Sequence, residues 1–196
     1  ATAISPEGKL ASKQLGAYLP QHQAGLAQLA GVIQANGAKA IVQLHHAGSH
    51  TDLEATGGRE LLSPSGIGVR QTPARSLGEA EIWRIIDQFT VAAERVLAAG
   101  FAGVEIHAAH GYLISQFFSP LTNKRADSWG GTLQGRSRFL RETIFRTREL
   151  VGPGKILAMR LGLEDWQEGG LRIEEGIQLG HLAMEWGVEL LDISFG

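Results

Sequence analysis

The sequence predicts an α/β fold built as a (β/α) barrel, present in part, and three observations carry that prediction. Apolar strand-type runs alternate with amphipathic helical stretches along the chain, which implies parallel strands joined by right-handed crossovers. The strands keep apolar residues on one side and polar residues on the other, with the polar groups near their C-terminal ends. No G-x-G-x-x-G follows any strand, which counts against an open dinucleotide-binding sheet.

Each element has a local reason. Residues 1–4 read as the tail of a strand. A helix is expected over 21–36, with Leu26, Leu29, Ala30 and Ile33 as its apolar stripe and Gly37 as a left-handed C-cap. A strand over 40–44 follows, and the Gly-, Pro- and Ser-rich stretch 48–76 reads as a long loop. Ser76 with Glu79 forms a capping box for a second helix, in which Ile82, Ile85, Ile86, Phe89, Ala93 and Val96 keep helical spacing until Gly100. Strands over 103–107, 156–161 and 189–194 then alternate with helices over 133–151 and 173–186. Gly135 predicts a weak first turn in the helix over 133–151, since glycine costs about 1 kcal/mol relative to alanine in a helix interior.

Strand faces decide between an open sheet and a barrel. Val42, Leu44, Val104, Ile106, Met159, Leu161, Leu191 and Ile193 should face helices, while Gln43, His45, Glu105, His107, Arg160, Asp192 and Ser194 share the other side. An open sheet covered on both faces would bury many of those polar groups. A barrel gathers them at its mouth, where barrel enzymes place their chemistry. Closure takes about eight strands. Four clear strands and the N-terminal remnant are legible, so residues 1–196 are expected to form one partial barrel domain, about strands two to six of a TIM (β/α)8 barrel with their helices, without its first strand and last two βα units.

Composition excludes several function classes. A formal charge of −2 with no basic stripe gives no reason to expect nucleic acid. No apolar run approaches the ~20 residues of a membrane helix, and the first residues lack the pattern of a signal peptide. Cysteine is absent, which removes disulfides and thiolate metal sites from this stretch and fits a cytoplasmic location. The sequence leaves self-association into a homo-oligomer open.

The densest chemical cluster is His107-Ala-Ala-His110-Gly-Tyr112, directly after a strand. Two adjacent imidazoles can donate to one oxygen and stabilise charge developing there, and a phenol can deliver a proton. The same cluster can equally cap a strand, with His110 and Tyr112 bonded to backbone. His45, His46 and His50 suggest a metal site, but neighbouring strand residues point to opposite faces. His45 is therefore expected inside, with His46 or His50 at the surface. Lys124, Arg125 and Asp127 are expected to fix their loop through ion pairs.

The segment VEIHAAHGYLISQFFSPLTNKRADSWGG is similar, nearly position by position, to the strand-and-loop motif of the old yellow enzyme family of FMN-binding barrels. IVQLHHAG, MRLGLEDWQEGG, GVELLDIS and the opening AISPEG also resemble family segments, in the expected order. The resemblance implies that His107 and His110 grip a substrate carbonyl or nitro oxygen and that Tyr112 protonates the adjacent carbon. It implies that Gln43 meets the flavin pyrimidine edge and Arg160 the region near N1 and O2. Arg160 in an ion pair with Glu105 or Asp192 is the structural alternative. The implied activity is NADH- or NADPH-driven reduction of an activated C=C bond in a small molecule, with hydride from flavin N5. Three positions depart from the pattern: Ser49 stands where arginine is common, Trp129 where tyrosine is common, and Gln134-Gly135 where an acidic residue and asparagine are common. The 196-residue stretch alone is expected to bind FMN weakly or not at all. Two other readings remain: a metal-dependent hydrolase barrel, and a catalytically inert fragment of a larger iron–sulfur flavoenzyme.

Overall fold

Alternation of side chains along the strands and a 3.6-residue period between them build one sheet with helices along its outer face. The computed structural model describes residues 1–68 and 73–195. In chain order the elements are β1 (Thr2–Ala3), α1 (His22–Gln34), β2 (Ile41–His45), β3 (Leu62–Ser63), β4 (Arg75–Ser76), α2 (Glu79–Ala98) and β5 (Gly103–Ala108). There follow α3 (Leu113–Phe118), α4 (Leu133–Arg136), α5 (Arg138–Val151), β6 (Ile156–Gly162), α6 (Ile173–Glu185) and β7 (Leu190–Ser194). The main sheet is parallel throughout, in the order β1-β2-β5-β6-β7. This is the partial barrel that the strand faces predict. No helix among the described residues is long and apolar enough to cross a membrane.

The core lies between the outer face of the sheet and its helices. Leu44, Val104, Ile106, Met159 and Leu161 are fully buried there. From α2 come Ile82, Ile85, Ile86, Phe89, Ala93 and Val96, and from α5 Phe139, Leu140 and Ile144. Burying each of the larger side chains contributes about 1.5–3 kcal/mol. Phe117 of α3 stacks on Phe139 of α5 at 4.4 Å, which fixes α3 to the helical layer.

Several expectations are corrected. Leu29 and Ile33 are 40% and 41% exposed, so α1 buries only Leu26 and Ala30. These two lie four residues apart on one line of α1, which packs on α2. Ser76 does not cap α2. It pairs with Ser63 in the short β3–β4 ladder, and its hydroxyl donates to Pro64 O. Gly78 takes the N-cap position, and its N–H donates to Glu81 three residues on, at 3.0 Å. The expected helix over 133–151 is two, broken at Ser137. Gly135 is required there because a Cβ would stand 2.1 Å from Gly130 O. At the end of α1, Gly37 takes φ +84, the left-handed turn its position predicts. Within the expected loop 48–76, residues 69–72 lie outside the described residues, as does Gly196.

Candidate active site

The site is assembled at the C-terminal ends of β2, β5, β6 and β7. Register sets its layers: Gln43 lies opposite Glu105, and His107 opposite Arg160, which in turn lies opposite Asp192. The inner face of the sheet therefore holds Gln43, Glu105, His107, Arg160 and Asp192 side by side. Past the end of β5 the chain turns sharply, with His110 at φ +60 and Gly111 at φ +68, before Tyr112 becomes the N-cap residue of α3. That turn folds His110 and Tyr112 back over His107. The ring centres of His107 and His110 are 5.0 Å apart, and Tyr112 lies 4.8 Å from His107.

The protonation pattern follows from burial. His107 is buried, and desolvation, then the neighbouring His110 and Arg160, hold its pKa down to about 3. Its Nδ1 accepts from Ala109 N at 3.3 Å, so the neutral ring carries its hydrogen on Nε2. Desolvation also lowers His110. Its Nε2 lies 2.7 Å from Ser194 Oγ on β7. Burial pushes the Tyr112 phenol up, so it stays protonated. His50 Nδ1 donates to His110 O at 2.9 Å and its ring sits 5.4 Å from Tyr112. His45 is fully buried 5.0 Å from Tyr112, and desolvation, then His107 and His46, hold it down to about 3.

His46 is not at the surface as expected. It is 1% exposed, its Nδ1 accepts from Gly48 N, and Gly8 presses against its ring. His46 lies one residue past the end of β2, and the chain turns it under the N-terminal segment rather than outward. His45 meets Tyr112 while His46 lies against Gly8, and among the described residues no group of three His, Asp or Glu side chains could hold a metal ion. Arg125 pairs with Asp127 at 2.6 Å and also donates to Pro64 O and Leu77 O, so it ties loops together. Trp129 is fully buried beneath the guanidinium of Arg138, 4.3 Å from its ring, a packing role.

Gln116 and Ser194 also help to build the site, and the sequence gives little sign of either. Gln116 is 1% exposed, and its amide donates to Ala47 O and Gly111 O and accepts from Ser49 N. It clamps the loop after β2 to the turn after β5. Its place in α3, a helix too short to have visible periodicity, hid it. Ser194 was visible only as one polar residue on the inner face.

Parallel βα units that carry imidazoles and a phenol over their C-terminal strand ends define part of a (β/α) barrel with its polar groups gathered at one mouth. Comparison with known proteins places it more closely. The model of the NADH:flavin oxidoreductase / NADH oxidase family matches residues 1–195, and the chain belongs to that family. An NADPH dehydrogenase of Halalkalibacterium halodurans is 39% identical over 199 residues, covering 100% of this chain and 56% of that protein. The old yellow enzyme homologue from Zymomonas mobilis superposes with a TM-score of 0.87 at 29% identity, over 98% of this chain and 57% of that one. A 2-naphthoyl-CoA reductase complex superposes with a TM-score of 0.94 at 34% identity, over 100% of this chain and 32% of that one. The chain thus spans about half the length of the dehydrogenase relative it matches.

FMN is the cofactor of this family, with NADH or NADPH as reductant. The donor set on the inner face fits its pyrimidine edge. Gln43 offers an amide that can donate and accept. Arg160 Nε is buried 2.8 Å from Asp192 Oδ2 but off that oxygen's hydrogen-bond direction, which leaves a charged donor without a directed acceptor.

Proposed function

We propose that the full-length protein is an FMN-dependent, NAD(P)H-driven reductase of activated C=C bonds, acting on α,β-unsaturated carbonyl or nitro compounds in the cytoplasm. In this reading the five parallel strands are the second to sixth of a closed barrel. The observation that carries it is the cluster of His107, His110 and Tyr112, with rings 5.0 and 4.8 Å apart beside Arg160. When bound, FMN supplies the two-electron chemistry between NADH or NADPH and the substrate. Gln43 and Arg160 would hold its pyrimidine edge, where the guanidinium would stabilise negative charge.

His107 donates from Nε2 to the substrate oxygen and His110 supplies a second donor. A preorganised donor of this kind is worth about 10²–10³ in rate. Because both rings are held neutral, they polarise the oxygen without giving up a proton. Tyr112, still protonated, transfers its phenolic proton to the carbon next to the activating group. Anaerobic stopped-flow mixing of the NADPH-reduced full-length protein with cyclohexenone tests this. Reoxidation of the flavin with formation of cyclohexanone is expected; no reoxidation by any enone or nitroalkene would sink the reading.

The closer match to the 2-naphthoyl-CoA reductase favours a second reading, in which the substrate is a conjugated thioester and the protein a larger iron–sulfur flavoenzyme. A cysteine cluster in the sequence beyond residue 196 would distinguish it.

A further inference from the structure

Two acids on the inner face take no part in the proposed reaction. Glu105 lies directly opposite Gln43 in the β2–β5 register and accepts from Gln43 Nε2 at 2.6 Å. Asp192 lies directly opposite Arg160 in the β6–β7 register, with Oδ2 2.8 Å from Nε. Each side chain suited to a flavin therefore has its own acid on the neighbouring strand.

Simple charge cancellation does not explain the pattern. Glu105 bonds to a neutral amide, at the cost of being desolvated, which pushes its carboxyl up. A pair formed only to neutralise Arg160 would take the bidentate fork that guanidinium and carboxylate favour. Asp192 instead approaches Nε off the hydrogen-bond axis and leaves that N–H undirected. The directed Gln43–Glu105 bond constrains orientation, whereas the 2.8 Å Arg160–Asp192 contact acts through charge and proximity. With Nε2 turned to Glu105, the Gln43 amide cannot flip without losing its charge-assisted bond, so Oε1 is kept as the free acceptor. Asp192 limits the swing of the guanidinium and offsets part of its positive field.

We propose that Glu105 and Asp192 are positioning residues for the cofactor, Glu105 by fixing which end of the Gln43 amide meets the flavin and Asp192 by limiting the swing of Arg160 and setting its net charge. This rests on the reading above that Gln43 and Arg160 contact FMN. The test uses the full-length protein, with FMN dissociation followed by flavin fluorescence and the flavin midpoint potential measured by dye equilibration. Losing one such contact is worth about tenfold in affinity. Glu105→Ala and Asp192→Ala should each weaken FMN binding by about that factor. Glu105→Gln, which keeps an acceptor for Gln43 Nε2, should restore affinity to within about threefold of wild type. Asp192→Asn should raise the midpoint potential by unmasking Arg160. Wild-type affinity in both alanine variants, or an unrescued Glu105→Gln together with an unshifted potential in Asp192→Asn, would overturn the proposal if Gln43→Ala and Arg160→Ala still weaken binding. If those last two variants bind FMN normally, the underlying reading of the site fails instead. The Gln and Asn variants preserve shape and volume, so they decide the matter even where an alanine variant does not fold.

Discussion

Acidification should destabilise this protein well before its carboxylates titrate. His45, His46 and His107 are buried, and burial holds their pKa values down to about 3, about 4 and about 3; for His46 the nearby Glu7 partly opposes the shift. In the unfolded chain each returns to about 6.5. A depressed imidazole binds fewer protons folded than unfolded, so its stabilising contribution is complete above about pH 6.5 and declines as pH falls toward the folded value. Between about pH 7 and about pH 5 each ring costs about 2 kcal/mol on this basis, so the three together cost about 6 kcal/mol as an upper figure. Even part of that is a large share of the roughly 5–15 kcal/mol available to a folded domain. Depressed carboxyls such as Glu81, at about 2, and Asp127, below its usual range, act in the same direction but in a lower pH window. Their contribution is lost only as pH falls below about 4. Urea unfolding of the full-length protein at the two pH values measures the effect. The His46→Gln variant keeps an acceptor for Gly48 N and should lose about one third of the pH dependence. A midpoint that does not move between the two conditions would refute the reasoning.

Two further perturbations follow from the same geometry. Gln116→Ala removes the amide that serves Ala47 O, Gly111 O and Ser49 N, and should lower stability by about 3 kcal/mol, read as a drop in thermal midpoint. Ser194→Ala frees His110 Nε2 from its 2.7 Å partner and should raise KM for an enone several-fold with kcat little changed; a purely structural serine would instead shift the melting temperature alone.

The strands and their faces were legible because alternation is a local property. Gln43, Glu105, His107, Arg160 and Asp192 could be placed on one side of the sheet from parity alone, and the ladder puts them there. Elements whose structure depends on distant partners were not legible. Ser76 carries a good capping signal, yet the Ser63 strand takes it into a ladder. The helical period of α1 offers a four-residue stripe, but only its Leu26–Ala30 line is buried. His46 sits one residue past the strand, where parity no longer predicts direction. The pairing of His110 with Ser194 spans 84 positions in the chain, and no local pattern could announce it. The resemblance to the old yellow enzyme family supplied the roles of His107, His110 and Tyr112, which spacing left as one of two readings. Neutral buried imidazoles beside a protonated phenol are the physical counterpart of those roles.

Tyr112→Phe gives the most direct measurement, because it separates proton delivery from everything else at the site. The phenyl ring can keep its contacts with His107, His45 and His50, so folding and FMN content should be unchanged. In anaerobic stopped-flow, flavin reduction by NADPH should proceed at the wild-type rate, while reoxidation by cyclohexenone should slow by about 10²–10⁴. Equal reoxidation rates in the variant and the wild type would contradict the assignment of Tyr112 as the proton donor.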